Sequence, residues 1–316
     1  MKFRSKRTNP RLSYNLRCLM RELIPGVFFR QKLASHIERI QENLTDVQRE
    51  RLTYYCQVEA VSPLPTDTLD LAHISRDKST YYCDLTSFTR YFNPKLKLHS
   101  VFGDISSANK IPDFPAIMKS RPANGNFPQA VLFKMDQVRH NFRVSDPMPY
   151  ADKIDKCVWR GAGHTEQRRN ASRRYENNPR VDIGLVGGSQ DGIVKPRMSI
   201  EHQLNHKFIL STQGHDLATN LHWAMASNSL CVMPKPQNEG WSMESWLQPD
   251  VHYVEVADDL SDIEEKMDKY LSDPALAEYV IHNAQTYVAQ FYDEPSEFAL
   301  RLMVLYRYFQ RTGQME

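Results

Sequence analysis

Residues 207–256 read KFILSTQGHDLATNLHWAMASNSLCVMPKPQNEGWSMESWLQPDVHYVEV, and they restrict the fold more than any other stretch. FILS is a short apolar run closed by Gly214, the pattern of a buried strand entering a turn. Asp216 or Thr219 then opens a helical pattern, with Leu217, Leu221, Trp223, Ala224 and Met225 spaced by three to four. LCVM (230–233) is a second strand. A Pro-bracketed loop carrying Glu239 and Glu244 precedes a third strand at HYVEV. This alternation predicts an open parallel α/β sheet. Ligands of such sheets lie at the carboxyl ends of strands, against helix N-termini that favour phosphate. Loops 214–220 and 239–244 are therefore the predicted nucleotide-binding loops.

The 316 residues suffice for one large domain or two ordinary ones. A net charge of +2 gives no global signature of a nucleic-acid partner. Five cysteines, Cys18, Cys56, Cys83, Cys157 and Cys231, lack CxxC or Cys/His spacing. They read as reduced core thiols of a cytoplasmic protein, with no zinc site. No apolar run approaches the ~18 residues of a membrane span. The charge is uneven, however. From Lys2 to Lys32 the basic residues outnumber a lone acid, Glu22, and Leu16, Leu19, Met20, Leu23 and Ile24 interleave with Arg17 and Arg21. That arm suits the inner face of an anionic membrane, or else a solvated face of an ordinary helix.

Residues 33–59 read as one charged helix, 81–92 as a half-buried aromatic segment and VFGDI (101–105) as a strand. Residues 111–122 look too proline-rich for regular structure, whereas AVLFKM (130–135) is a buried strand. The Pro/Asp-rich SDPMPYADKIDK marks a domain boundary, placing domains at 1–150 and 151–295. CVWRGAG (157–163) is a strand and turn, 165–178 a helix starting at Thr165, and VDIGLVGG (181–188) another strand and turn. Three helical stripes follow Leu260, and the last, 296–316, is expected to pack back on the first domain.

WRGAG with Arg168 and Arg169, the KFIL…QG…N segment, WSMESWLQP and HYVEVADDLSDIEEKM together resemble glycosyltransferase family 90. FGDI, IPDFPAIMKSRP and KMDQVRH look most like its bacterial, lipopolysaccharide-core branch. The resemblance implies a GT-B-like fold of two Rossmann-like lobes with an inter-lobe cleft. It also implies a nucleotide-sugar donor (a UDP-sugar), inversion at the anomeric carbon, no metal or other cofactor, and a glycan or lipopolysaccharide-core acceptor. Animal members carry an Arg where this chain has Asn220, and Asn cannot neutralise phosphate.

Such chemistry needs a base for the acceptor hydroxyl, cations or dipoles for the diphosphate, and groups to hold the ribose. Arg160, beside the Gly161 turn, Arg168 and Lys207 are the diphosphate candidates, with Gly214 and Asn220 in the following loop. Arg168 can alternatively face solvent, and Lys207 can snorkel. Glu244, then Glu239, are the ribose candidates, with helix capping as the alternative. Trp241 and Trp246 line the sugar or simply pack. Asp113 aligns with the family's catalytic Asp, so it is the expected base. Asp104 and His140 are the alternatives, and Lys119 and Arg121 are candidates for the acceptor. A non-catalytic nucleotide- or RNA-binding protein is the competing function, although no aromatic stacking motif supports it.

Overall fold

The computed structural model describes residues 10–187 and 191–316. The chain forms two compact units, the first from residues up to Arg139 together with Glu294–Glu316, the second from His140–Asp293. The first nine residues of the basic arm, and Gly188 at the end of a predicted turn, lie outside the described residues.

Strands of the first unit are Ser100–Val101 (β1), Ala116–Met118 (β2), Ser120–Pro122 (β3) and Ala130–Leu132 (β4). β1, β2 and β4 form a parallel sheet with β2 central. Two strands thus occupy the segment expected to be irregular. Pro112 and Pro115 only precede β2, leaving its ladder donors intact: Ala116 N–H donates to Gln129 O and Ile117 N–H to His99 O. The FGDI strand is shorter than predicted, because Gly103 adopts a φ of +120° and turns the chain into Asp104.

The single helix expected over 33–59 is two, Leu33–Asn43 and Asp46–Tyr55. Thr45 separates them: its hydroxyl accepts from Gln48 N–H while its own N–H donates to Gln48 Oε1, a capping box. Residues 81–92 lie mostly in helix Ser79–Thr89. Helix Glu294–Arg311 packs on these three helices within the same unit. Its buried Glu297 joins Arg51 at 2.5 Å and Lys134 at 2.6 Å.

Cys18 and Cys83 form a disulfide with Cα atoms 5.6 Å apart, which corrects the expectation of five reduced thiols. Their sequence separation of 65 carries no spacing signal. Cys56, Cys157 and Cys231 are free and buried, as expected, and burial pushes their thiols up.

Strands of the second unit are Ile154–Gly161 (β5), Val181–Leu185 (β6), His206–Leu210 (β7), Leu230–Met233 (β8), Asn238–Gly240 (β9) and Val254–Glu255 (β10). Five of them form a wholly parallel sheet in the order β10-β8-β7-β5-β6. Growth proceeds from β5 to β6 on one side, then crosses to β7 and runs outward, so the order reverses between β5 and β7. Both faces are covered. Phe208 and Leu210 point into one apolar cluster with Ile263, Met267 and Val280, and Ile209 into another with Trp223 and Val288. Double coverage is why these strands read as unbroken apolar runs.

The boundary predicted after residue 150 falls earlier, at Arg139/His140. Asp146 ties the Pro/Asp-rich segment into the second unit, pairing with Lys153 at 2.8 Å and accepting from Asn228 N–H at 2.7 Å. The predicted helix after Gly214 is also shorter, only Leu221–Met225.

Candidate functional site

Where the strand order reverses, the carboxyl ends of the sheet open onto a cavity of about 260 Å³. Thr165 after β5, Ser211 and Gly214 after β7, Lys235 after β8, and Glu244 contribute to its wall. A larger cavity of about 710 Å³ lies in the first unit near Pro115, Gln129, Arg307 and Arg311. Pro115 and Gln129 precede β2 and β4, so that cavity borders the amino edge of its sheet, and volume alone does not select it.

Arg168 dominates the reversal point. Helix Glu166–Arg174 starts at Thr165, whose hydroxyl accepts from Arg168 N–H. From this first turn the guanidinium bridges the two strand ends, donating to Ala162 O at 3.1 Å and Thr212 O at 2.6 Å. It lies 5.0 Å from the Trp159 ring centre. The side chain is buried, its Nε has no hydrogen-bond partner, and no carboxylate pairs with it among the described residues. Burial lowers the guanidinium to about 10. A Cβ at Gly214 would stand 3.5 Å from Nη2, so the cation sits directly behind the cavity wall. A buried cation held only by carbonyls is incomplete, since burying charge without an opposite charge is costly. Arg168 is not part of the cavity lining, but an anion bound against the Gly214 turn would complete it.

Glu244 follows Met243, which takes the left-handed conformation (φ 50°). Its Oε2 accepts from Gly240 N–H at 2.6 Å. Burial pushes the carboxyl up to about 7, and the Glu239 and Asp216 charges add to the rise despite the backbone hydrogen bonds. A carboxyl raised in the folded state contributes stability that is complete below its ordinary value of 4.5 and is lost as pH rises through about 7. Glu244→Gln should therefore flatten the decline in stability between about pH 5 and pH 8, by up to about 3 kcal/mol. Thermal melts across that range check it; an equally steep decline in both proteins rejects it.

The other candidates divide sharply. Arg160 is engaged elsewhere: its guanidinium pairs with Asp182 at 2.8 Å and donates to Pro196 O, Trp159 O and Asp182 O. Gly161 is packed under Trp159, where a Cβ would come within 2.3 Å of the indole. Lys207 stands near the amino end of β7, the wrong end for this crevice, paired with Asp155 at 2.6 Å. Asn220 acts as a pin, its Nδ2 donating to Leu210 O at 2.8 Å. The five-residue helix behind it makes no phosphate platform. Glu239 and Trp241 are buried and Trp246 is half-buried.

In the first unit, Asp104 lies beyond the carboxyl end of β1 and Lys119 directly beyond β2, paired at 2.9 Å. Burial alone would raise Asp104, but the Lys119 hydrogen bond and charge outweigh it and hold the carboxyl below its ordinary range. Asp113 is exposed and precedes β2, on the amino side of the sheet. Arg121 is a core residue, donating to Tyr54 O and Ala130 O and stacked 5.0 Å from the Tyr54 ring. This removes it from acceptor contact. His140 is buried.

The model of Glycosyl transferase family 90 matches residues 129–312. The chain is 36% identical over 293 residues to the O-glucosyltransferase LpsA of Dichelobacter nodosus, covering 91% of each chain. It is also 30% identical over 102 residues to the uncharacterized protein 035R of Invertebrate iridescent virus 3, covering 32% of this chain and 9% of that one. The chain belongs to glycosyltransferase family 90. As a family-90 glycosyltransferase it sets aside the non-catalytic nucleotide- or RNA-binding alternative. Among its described residues no group of three His, Cys, Asp or Glu is arranged to hold a metal ion. Sequence reasoning missed Lys235, an exposed cation at the cavity with no ion pair among the described residues. Its signal was available: it lies two residues beyond an apolar strand, between prolines.

Proposed function

We propose that this glycosyltransferase moves a sugar, with glucose the first to test, from a UDP-sugar to a lipopolysaccharide-core or other surface-glycan acceptor, with inversion and without a metal. The reading takes the two units as the lobes of a GT-B transferase, the second holding the donor. The observation that carries it is Arg168, a buried cation lacking an anion at the reversal point of a parallel sheet. In this reading the diphosphate accepts from Arg168 and Lys235, and the ribose hydroxyls meet Glu244. A base takes the acceptor hydroxyl proton as that oxygen bonds to the anomeric carbon, and the bond to the diphosphate breaks with its electron pair leaving on phosphate. Positive charge fixed beside that oxygen is what the transition state requires. The relative's O-glucosyltransferase name and the lipopolysaccharide-core resemblance support the choice of sugar and acceptor.

Arg168→Gln should weaken UDP binding about 10- to 100-fold, the scale of charge-assisted hydrogen bonds. Calorimetric titration with UDP, and thermal shift with a panel of UDP-sugars against single-stranded RNA, read this out. Equal UDP affinity in the variant, or no response of the wild type to any nucleotide sugar, defeats the proposal.

A further inference from the structure

Helix Pro10–Glu22 is fixed to the first unit by one face only. Cys18 is disulfide-bonded to Cys83, Tyr14 hydrogen-bonds Asp84, and Arg21 Nη1 donates to Ser87 Oγ at 2.6 Å, all on helix Ser79–Thr89. Tyr14, Cys18 and Arg21 follow i, i+4, i+7 spacing, so they share one side of the helix. Leu12, Leu16 and Leu19 repeat the same spacing about half a turn away. These three are 70%, 56% and 57% exposed, and Met20, Leu23, Ile24, Val27 and Phe28 extend the apolar surface beyond them. Among the described residues, eight of the fourteen exposed large hydrophobic side chains therefore lie between Leu12 and Phe28. Scattered exposure is ordinary, but a contiguous patch marks an interface.

The charge around the patch chooses the occupant. Arg17, Arg30 and Lys32 are exposed beside it, and Glu22 is already paired with Arg76 at 3.3 Å. No helix of the described residues is long and apolar enough to cross a bilayer. An apolar stripe flanked by cations, on a helix of 13 residues, has the make-up of an element that lies in the headgroup layer. We propose that this face, held outward by the Cys18–Cys83 staple, docks the protein on an anionic lipid bilayer. The proposal is independent of the donor site and stands or falls without it.

The test is cosedimentation of the full chain with vesicles of phosphatidylcholine alone or mixed with phosphatidylglycerol. Binding to the mixed vesicles only, weakened by salt, is the expected result. Leu16→Asp/Leu23→Asp should abolish it. Arg17→Gln/Lys32→Gln should reduce it roughly 25-fold, at about fivefold per basic residue. Both pairs are exposed, and unchanged UDP binding and circular dichroism would show that the fold survives. Absence of binding to the mixed vesicles, or binding that survives Leu16→Asp/Leu23→Asp, overturns the proposal. So does sedimentation equilibrium showing a dimer that the same double variant dissociates, which would assign the face to a second copy of the chain.

Discussion

Asp104→Asn should lower kcat by about 10²- to 10⁴-fold, the usual contribution of a general base, while leaving UDP affinity near that of the wild type. The expectation follows from strand direction. Crevices of parallel sheets open at carboxyl ends. β1 delivers Asp104 to that end and β2 delivers Lys119 beside it. Asp113, the base that the family resemblance implied, is at the opposite end of β2 and exposed, so Asp113→Asn should retain turnover within a few-fold. Lys119 keeps Asp104 ionised below the ordinary carboxylate range, so the acid limb of kcat/KM should fall at lower pH than a free carboxylate gives. Lys119→Met should move that limb upward. Initial rates for the three variants over a pH series decide the matter. Near-wild-type turnover in Asp104→Asn together with an inactive Asp113→Asn would restore Asp113 as the base.

How far the sequence reached depended on whether a signal was local. The second-unit strands were legible because both faces are buried and Val, Ile, Leu and Phe run without polar interruption, as in Phe208, Ile209 and Leu210. Thr165 announced its helix, and Thr45 with Gln48 carried an equally readable capping box that the single-helix reading passed over. Arg168 and Gly214 lie where the strand order reverses, at the carboxyl ends that the sequence pattern pointed to. Arg160 was not readable, because what occupies its guanidinium is Asp182 on the neighbouring strand. Lys207 was an avoidable error: a residue at the amino end of a strand cannot serve a crevice at its carboxyl end. The Cys18–Cys83 pair and the carboxylates around Glu244 arise from tertiary approach alone, which spacing along the chain does not encode.

Glu297→Ala should destabilise the first unit by about 3–5 kcal/mol, because it removes the carboxylate that two buried cations share. Glu297 is fully buried between Arg51 and Lys134, which are themselves 2% and 3% exposed. Tyr55 OH also accepts from Arg51 at 2.9 Å, and Arg301 Nε donates to the Glu297 backbone carbonyl at 2.9 Å, a bond that the substitution leaves in place. Burial already lowers Lys134 while Glu297 opposes the fall. Without Glu297 that ammonium should drop further and shed its proton on folding. The unfolded state then binds more protons, so the deficit should shrink as pH rises toward the ordinary lysine value of 10.5. Replacing all three residues by apolar ones of similar size should recover most of the loss, since a buried ion network is worth little against good packing. Two units with separate cores need not unfold in one step, so hydrogen exchange within helix Glu294–Arg311 is the appropriate readout. Protection there falling by less than about 1 kcal/mol in Glu297→Ala, or a deficit that does not depend on pH, would show that water already reaches the network.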